Sequence, residues 1–171
     1  GELWMRLEEW EDKRFDLPPA MLQFLVSPVT VMPGETWTKP VDDWEDSSQL
    51  HCCRLERLFT GDDDFWKLVF SHLILNHKEM CVFSDLGKSN KRQIQWLMGR
   101  LVAKDAVRKI LKQKYNIEAG PADVEITSDE YGCPVPTGKW EDKVKGPLRL
   151  SISHTTGRSE EHTSELQSLL I

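Results

Sequence analysis

The sequence predicts an α+β fold with one long helix and a small antiparallel sheet. Residues 92–115 are rich in Leu, Ala, Lys, Arg and Gln and contain no Pro, which predicts the long helix. Residues 148–153 alternate apolar and polar side chains, as in a strand with one buried face. Residues 129–132 (Asp-Glu-Tyr-Gly) have the composition of a turn.

The other elements follow from shorter patterns. Residues 1–10 alternate in part and predict a strand, and residues 50–58 predict another. The acidic run at residues 61–64 is a helix-start signal, and the apolar residues 65–75 after it predict a buried helix. Residues 122–126 predict a strand before the turn.

Composition limits the class of protein. The chain has 171 residues, 39% of them hydrophobic, and a formal net charge of −6, which suits one domain, or one domain with a piece of another. The acidic total argues against non-specific nucleic-acid binding. No apolar stretch approaches the roughly 20 residues of a membrane span. The four cysteines form no CxxC pair, so we expect a reducing, cytoplasmic location.

The cysteines leave one metal-site alternative, which we do not favour. Together with two histidines they could be imagined as a zinc site. The residues concerned are His51, Cys52, Cys53, His77 and Cys81. Their spacing does not match a tetrahedral zinc site, so we interpret the thiols as buried or incidental and predict no metal ligands.

The predicted long helix carries a row of cations. Arg100, Lys104 and Arg108 are spaced i, i+4 and i+8, so they share one helix face. Such a row suits a polyphosphate ligand. The alternative is a solvated basic face, which is common on exposed helices.

Two further motifs contain groups that can hold phosphate. Residues 151–157 end a predicted strand in hydroxyls, an imidazole and a glycine, and these groups bind phosphate oxygens together with backbone N–H groups. Residues 129–134 (DEYGCP) form the second motif. Taken alone, the first could be a strand end and the second a simple β-turn.

In this order, the motifs resemble a known family. Residues 95–108 (QWLMGRLVAKDAVR) are similar to the helix signature of 4′-phosphopantetheinyl transferases attached to iterative polyketide synthases. Residues 129–134 resemble the family's "EYGKP" turn, and residues 150–157 (LSISHTTG) resemble its "SISHS-G" strand end. The resemblance covers about residues 50–157 and implies the amino-terminal half of such a domain.

The resemblance implies a function. Members move the 4′-phosphopantetheine arm of coenzyme A onto a serine of an acyl carrier protein, using magnesium. Ser153 and His154 would contact the 3′-phosphate of coenzyme A, and Gly132, Cys133 and Pro134 would lie beside it. The family often has Lys or Arg where this chain has Cys133. Ligand roles for Arg100 and Lys104 are inferred from charge and spacing, and no nucleophile is assigned.

The family's magnesium ligands are not found in this sequence. The family has a "G-D-E" acidic pair and a W-x-x-K-E-A helix after its SISH motif, and neither follows here. We therefore expect a fragment that has lost turnover. Residues 158–168 (RSEEHTSELQS) resemble the translation of a sequencing-library adapter, so we interpret residues 158–171 as non-native. The alternative for this tail is a polar helix.

The front of the chain has a shorter resemblance. Residues 3–18, with the run WEDKRFDLP at residues 10–18, are similar to the closing part of a polyketide synthase dehydratase of the hotdog type. We therefore expect a short β-rich tail and linker at residues 1–48 and the transferase half-domain at residues 49–157. Two alternatives stay open: a dehydratase (hydro-lyase) fragment, and a non-catalytic docking or linker module in cis with other synthase domains.

Overall fold

The structure is a computed structural model that describes residues 17–37, 51–55, 64–87, 89–156 and 164–170, with only the backbone described for 154–156 and 164–170. The helices are α1 (Pro19–Val26), α2 (Asp64–Ile74), α3 (His77–Asp85) and α4 (Asn90–Tyr115). The strands are β1 (Glu35–Thr36), β2 (His51–Leu55), β3 (Glu125–Ser128), β4 (Pro134–Thr137), β5 (Leu150–Thr156) and β6 (Ser164–Leu170). The predicted α+β class is confirmed.

The strands form two antiparallel sheets. The larger has the order β1-β2-β6-β5, and the smaller is the β3–β4 hairpin, in which Ser128 pairs with Pro134. Helix α4 packs against both sheets: it contacts β2, β6 and β5 of the larger sheet and β3 of the hairpin. The predicted strands at residues 50–58 and 148–153 correspond to β2 and β5.

Helix α4 is the centre of the core. Its buried side chains lie on more than one face, among them Leu97, Leu101, Val107 and Leu111, each fully buried. This arrangement agrees with the interpretation that the helix touches two sets of neighbours. The helix ends at Asn116, whose φ of 53° is the left-handed cap conformation that Asn tolerates better than most residues.

Helix α1 shares the same core. Met21 and Phe24 are fully buried, and the ring of Phe24 stacks on Phe70 of α2 with 6.3 Å between centroids. Proline at the first position suits the start of this helix because its missing N–H would be unpaired there anyway. Residues 17–37, which the sequence assigned to a separate tail, are therefore packed against α2 and α4.

Helix α3 was not predicted as a helix, although its start has a clear signal. Asn76 and Glu79 form a capping box: the Asn76 side chain accepts from the Glu79 N–H at 2.9 Å, and Glu79 Oε2 accepts from the Asn76 N–H at 3.1 Å. The predicted turn at Gly87 is present, with a φ of +81° that favours glycine.

The tail forms a strand in the structure. The backbone of residues 164–170 lies between β2 and β5, where the composition permitted a polar helix. The non-native origin of residues 158–171 stays a prediction, as do the domain limits. The predicted strand at residues 1–10 lies outside the described residues. Within the described ranges, every helix is too short or too polar to cross a bilayer.

Candidate functional site

An open groove of about 390 Å³ lies between α4, the β3–β4 hairpin and β5. Helix α4 supplies one wall, the hairpin loop supplies the second and β5 closes the floor. The lining residues are Trp96, Gly99, Arg100, Ser128, Tyr131, Gly132, Cys133, Pro134, Ser151 and Ile152. The groove therefore brings together parts of all three motifs in the sequence.

Arg100 is the cation of this groove. Its guanidinium carbon lies 4.7 Å from the centroid of the Trp96 ring, an arrangement in which a cation rests on an aromatic face one turn earlier in the helix. Burial lowers the pKa of Arg100, and the nearby Glu79 carboxylate opposes that shift. Because a guanidinium stays charged in proteins, Arg100 presents a fixed positive charge to any ligand there.

The hairpin loop is shaped by hydrogen bonds from its backbone N–H groups to the Asp129 side chain. Asp129 Oδ1 accepts from the N–H groups of Tyr131 at 2.9 Å and Cys133 at 2.8 Å. Gly132 has a φ of +81°, which explains the glycine by conformation alone. The interpretation as a β-turn and the predicted ligand position are thus compatible, since Gly132, Cys133 and Pro134 all line the groove. Cys133 is exposed and unpaired with any other cysteine.

Strand β5 brings the hydroxyl motif to the same groove. Ser151 and Ile152 line it, and Ser153, the next residue, is exposed. The backbone of Ser153 pairs with residue Gln167, and that of His154 with Leu166. The His154 side chain lies outside the described residues, so the predicted phosphate contacts of Ser153 and His154 stay predictions.

The structure corrects the prediction for Lys104. Its side chain is fully buried, and its Nζ donates to the Ile74 carbonyl at 2.8 Å and to Glu79 Oε2 at 2.5 Å. Burial lowers the pKa of Lys104, while the Glu79 carboxylate favours the charged form. Lys104 therefore ties α4 to α2 and α3 and does not reach the groove.

Arg108 departs from the predicted cationic row in the same way. It is 1% exposed, and its NH1 donates to Asp105 Oδ1 at 2.8 Å. Its other donors bond to the carbonyls of Ala119 at 2.8 Å and Val29 at 2.9 Å. The row of three ligand-binding cations is therefore wrong: Arg100 faces the groove, and the other two hold the core together.

Two buried acids were missed by the sequence reasoning. Glu79 Oε1 also accepts from the Ile126 N–H at 3.1 Å, so this carboxylate joins α3, α4 and β3. Asp105 Oδ2 accepts from the Gly34 N–H at 2.8 Å, and burial raises the pKa of Asp105 to about 6. Glu79 could have been found from the capping-box spacing. Asp105 had its i, i+3 spacing to Arg108 on α4 as a signal.

The described residues do not fit a magnesium site. They contain no group of three His, Cys, Asp or Glu side chains that could hold a metal ion. Both oxygens of Glu79 and both oxygens of Asp105 already accept hydrogen bonds from protein donors. We therefore derive no step through a metal ion. The groove itself offers one guanidinium, exposed hydroxyls and an aromatic rim, which suits an anionic organic ligand.

Curated relatives in sequence are holo-[acyl-carrier-protein] synthases, although no family model matches the chain. The protein of Exiguobacterium sibiricum is 34% identical over 82 residues, which is 48% of this chain and 57% of that protein. The protein of Halalkalibacterium halodurans is 34% identical over 50% of this chain and 67% of its own length. The protein of Bacillus cytotoxicus is 33% identical over 60% of this chain and 76% of its own length.

The fold agrees with this relationship. The structure of a Plasmodium yoelii acyl carrier protein synthase with ADP bound matches with a TM-score of 0.50 and 20% identity, covering 71% of this chain and 91% of that one. The chain spans just over half of the Exiguobacterium protein, but more than two thirds of other relatives. By these matches, the chain belongs to the holo-[acyl-carrier-protein] synthase family of phosphopantetheinyl transferases.

Proposed function

We propose that this domain transfers the 4′-phosphopantetheine group of coenzyme A to a serine of an acyl carrier protein. In this reaction the serine oxygen bonds to the phosphorus of the phosphopantetheine arm, adenosine 3′,5′-bisphosphate leaves and the serine proton is released. The proposal rests on the groove, which is lined by Arg100, by the hairpin loop and by a hydroxyl of β5. The nucleophile comes from the partner, so none is needed in this chain.

Coenzyme A binding tests the role of the groove. We expect Arg100→Ala to weaken binding about ten- to 150-fold, since a charged hydrogen bond contributes about 1.5–3 kcal/mol. His154→Ala is expected to weaken it as well, because its imidazole is the other predicted phosphate ligand. Calorimetric titration of the folded chain measures both effects.

Arg92→Ala is the matched control, because Arg92 is an exposed cation two turns earlier in α4 that does not line the groove. If the Arg92 and Arg100 variants lose equal affinity for coenzyme A, the effect comes from the net charge of the chain, and the groove is not the binding site. A folded wild-type chain with no coenzyme A binding would overturn the proposed function and favour a docking module.

We expect that this chain has lost turnover. The described residues contain no group of three His, Cys, Asp or Glu side chains that could position magnesium on a pyrophosphate, and such an ion neutralises charge at the reacting phosphorus. A gel-shift or mass-spectrometric assay of carrier-protein modification measures the rate. Modification at the rate of a full-length bacterial synthase assayed in parallel would refute this expectation.

We also propose a polyketide synthase context for the domain, with other synthase domains in cis. The support is the resemblance of residues 95–108 to the helix signature of synthase-attached transferases and of residues 3–18 to a dehydratase end. Coenzyme A and an acyl carrier protein are the proposed partners in either context.

A further inference from the structure

Tyr131 is the most exposed large hydrophobic side chain among the described residues. It is 83% exposed, and it lines the groove between α4, the β3–β4 hairpin and β5. An aromatic ring stabilises a fold mainly through the area that it buries, so a ring this exposed contributes little to the core. The packing of the domain therefore does not account for a tyrosine at this position.

The loop that carries Tyr131 is held in one shape by hydrogen bonds. The Gly132 N–H donates to the Asp129 carbonyl at 3.1 Å, and the Asp129 N–H donates to the Cys133 carbonyl at 3.0 Å. The Tyr131 N–H itself donates to Asp129 Oδ1 at 2.9 Å. Because the backbone is fixed and a tyrosine side chain has only two rotatable torsions, the ring can contact a ligand at a small cost in conformational entropy.

The other aromatic ring of the groove already has neighbours. The guanidinium carbon of Arg100 lies 4.7 Å from the centroid of the Trp96 ring, and the centroid of the Phe83 ring lies 5.9 Å from it. The ring of Tyr131 has no such partner in the part of the chain that the structure describes. Of the two aromatic rings that line the groove, Tyr131 is therefore the one that can take a ligand on its face.

The groove combines this ring with a single charge. Arg100 is the one charged side chain among the described residues that line it. A ligand that matches both features carries an anionic group next to a flat aromatic ring, because a guanidinium pairs with phosphate and a tyrosine ring stacks on a base. A nucleotide has both groups.

We propose that Tyr131 is a specificity-determining residue of the groove, which stacks on the adenine base of coenzyme A while Arg100 pairs with a phosphate of the same nucleotide. This inference rests on the proposed function, which supplies the donor. The groove then holds the nucleotide end of coenzyme A, and the pantetheine arm makes no contact with Tyr131.

Calorimetric titration of the folded chain with three ligands tests the proposal. The ligands are coenzyme A, adenosine 3′,5′-bisphosphate and 4′-phosphopantetheine. We expect Tyr131→Ala to weaken binding of the first two by the same factor, about five- to 150-fold, which is the range for one base–aromatic stack. Binding of 4′-phosphopantetheine should not change, because it has no base.

Three further variants serve as controls. Tyr131→Phe keeps the ring and should bind coenzyme A nearly as wild type does. Tyr131→Leu keeps apolar area without an aromatic face and should resemble Tyr131→Ala. Glu130→Ala should not weaken binding, because Glu130 is an exposed residue of the same turn that does not line the groove.

The outcomes separate this inference from the proposed function. If Tyr131→Ala binds coenzyme A as tightly as wild type, or if Tyr131→Leu binds as tightly as Tyr131→Phe, the stacking role is wrong and the proposed function stands. Equal weakening in Glu130→Ala, or an equal loss for 4′-phosphopantetheine, also overturns the stacking role. A folded wild-type chain that binds no coenzyme A overturns both.

Discussion

Replacing Lys104 with Met is expected to lower the free energy of unfolding by about 3–5 kcal/mol, the cost of breaking a buried ion pair. The Lys104 ammonium is fully buried and donates to Glu79 Oε2 at 2.5 Å and to the Ile74 carbonyl at 2.8 Å. Methionine preserves most of the volume but leaves the Glu79 carboxylate without its counter-charge. Urea denaturation monitored by circular dichroism measures the change.

Lys112→Met is the matched control on the same helix. Lys112 pairs with Glu118 at 3.3 Å, but both side chains are about half exposed, so we expect a change within about 1 kcal/mol. Adding Glu79→Gln to Lys104→Met should recover part of the loss, because the amide is neutral and can still accept from the Ile126 N–H. If the Lys104 and Lys112 variants lose equal stability, the buried pair is not the source of the effect.

Arg108→Leu is expected to destabilise the chain by a similar amount, about 3–5 kcal/mol at pH 8. The guanidinium balances the buried charge of Asp105 and bonds to carbonyls of the α1–β1 segment and of Ala119. Without it, the segment between α1 and β1 loses the bonds from its Pro28 and Val29 carbonyls to α4 and keeps the bond from the Gly34 N–H to Asp105. Denaturation with and without the substitution measures the loss, and hydrogen exchange of residues 17–37 should show where it is concentrated.

The pH dependence of the free energy of unfolding separates the effect of the Asp105 charge from the effect of Arg108 packing. Burial raises the pKa of Asp105 to about 6 in the folded state, well above that of an exposed aspartate, so the folded state holds the proton more tightly. Through this group, the free energy of unfolding should fall as pH rises from about 4 to about 6 and then level off. Removing Arg108 raises the pKa further, so Arg108→Leu should cost less at pH 5 than at pH 8.

Asp105→Asn provides the control for this behaviour. It should remove the loss of stability between pH 4 and pH 6, because the asparagine amide does not titrate there. If wild type and Asp105→Asn show the same pH profile, Asp105 does not titrate in that range. If Arg108→Leu costs the same at pH 5 and pH 8, its effect comes from packing and carbonyl bonds alone.

The long helix, the two turns at glycine and the alternating strand follow from neighbouring residues. Helix formers without proline define α4, and positive φ requires glycine at Gly87 and Gly132. Helix α3 also had a local signal in Asn76 and Glu79. Periodicity and capping are short-range properties, so one sequence is enough to predict them.

The fate of the three cations depends on partners far along the chain. Arg100, Lys104 and Arg108 have the same spacing in sequence and opposite roles in the fold. Lys104 is buried because it pairs with the carboxylate of Glu79, which lies 25 residues earlier in the sequence. Arg108 is buried because it donates to the carbonyl of Val29, which lies 79 residues earlier. Helical spacing sets which side chains share a face, but only long-range packing decides whether that face meets water, a ligand or the core.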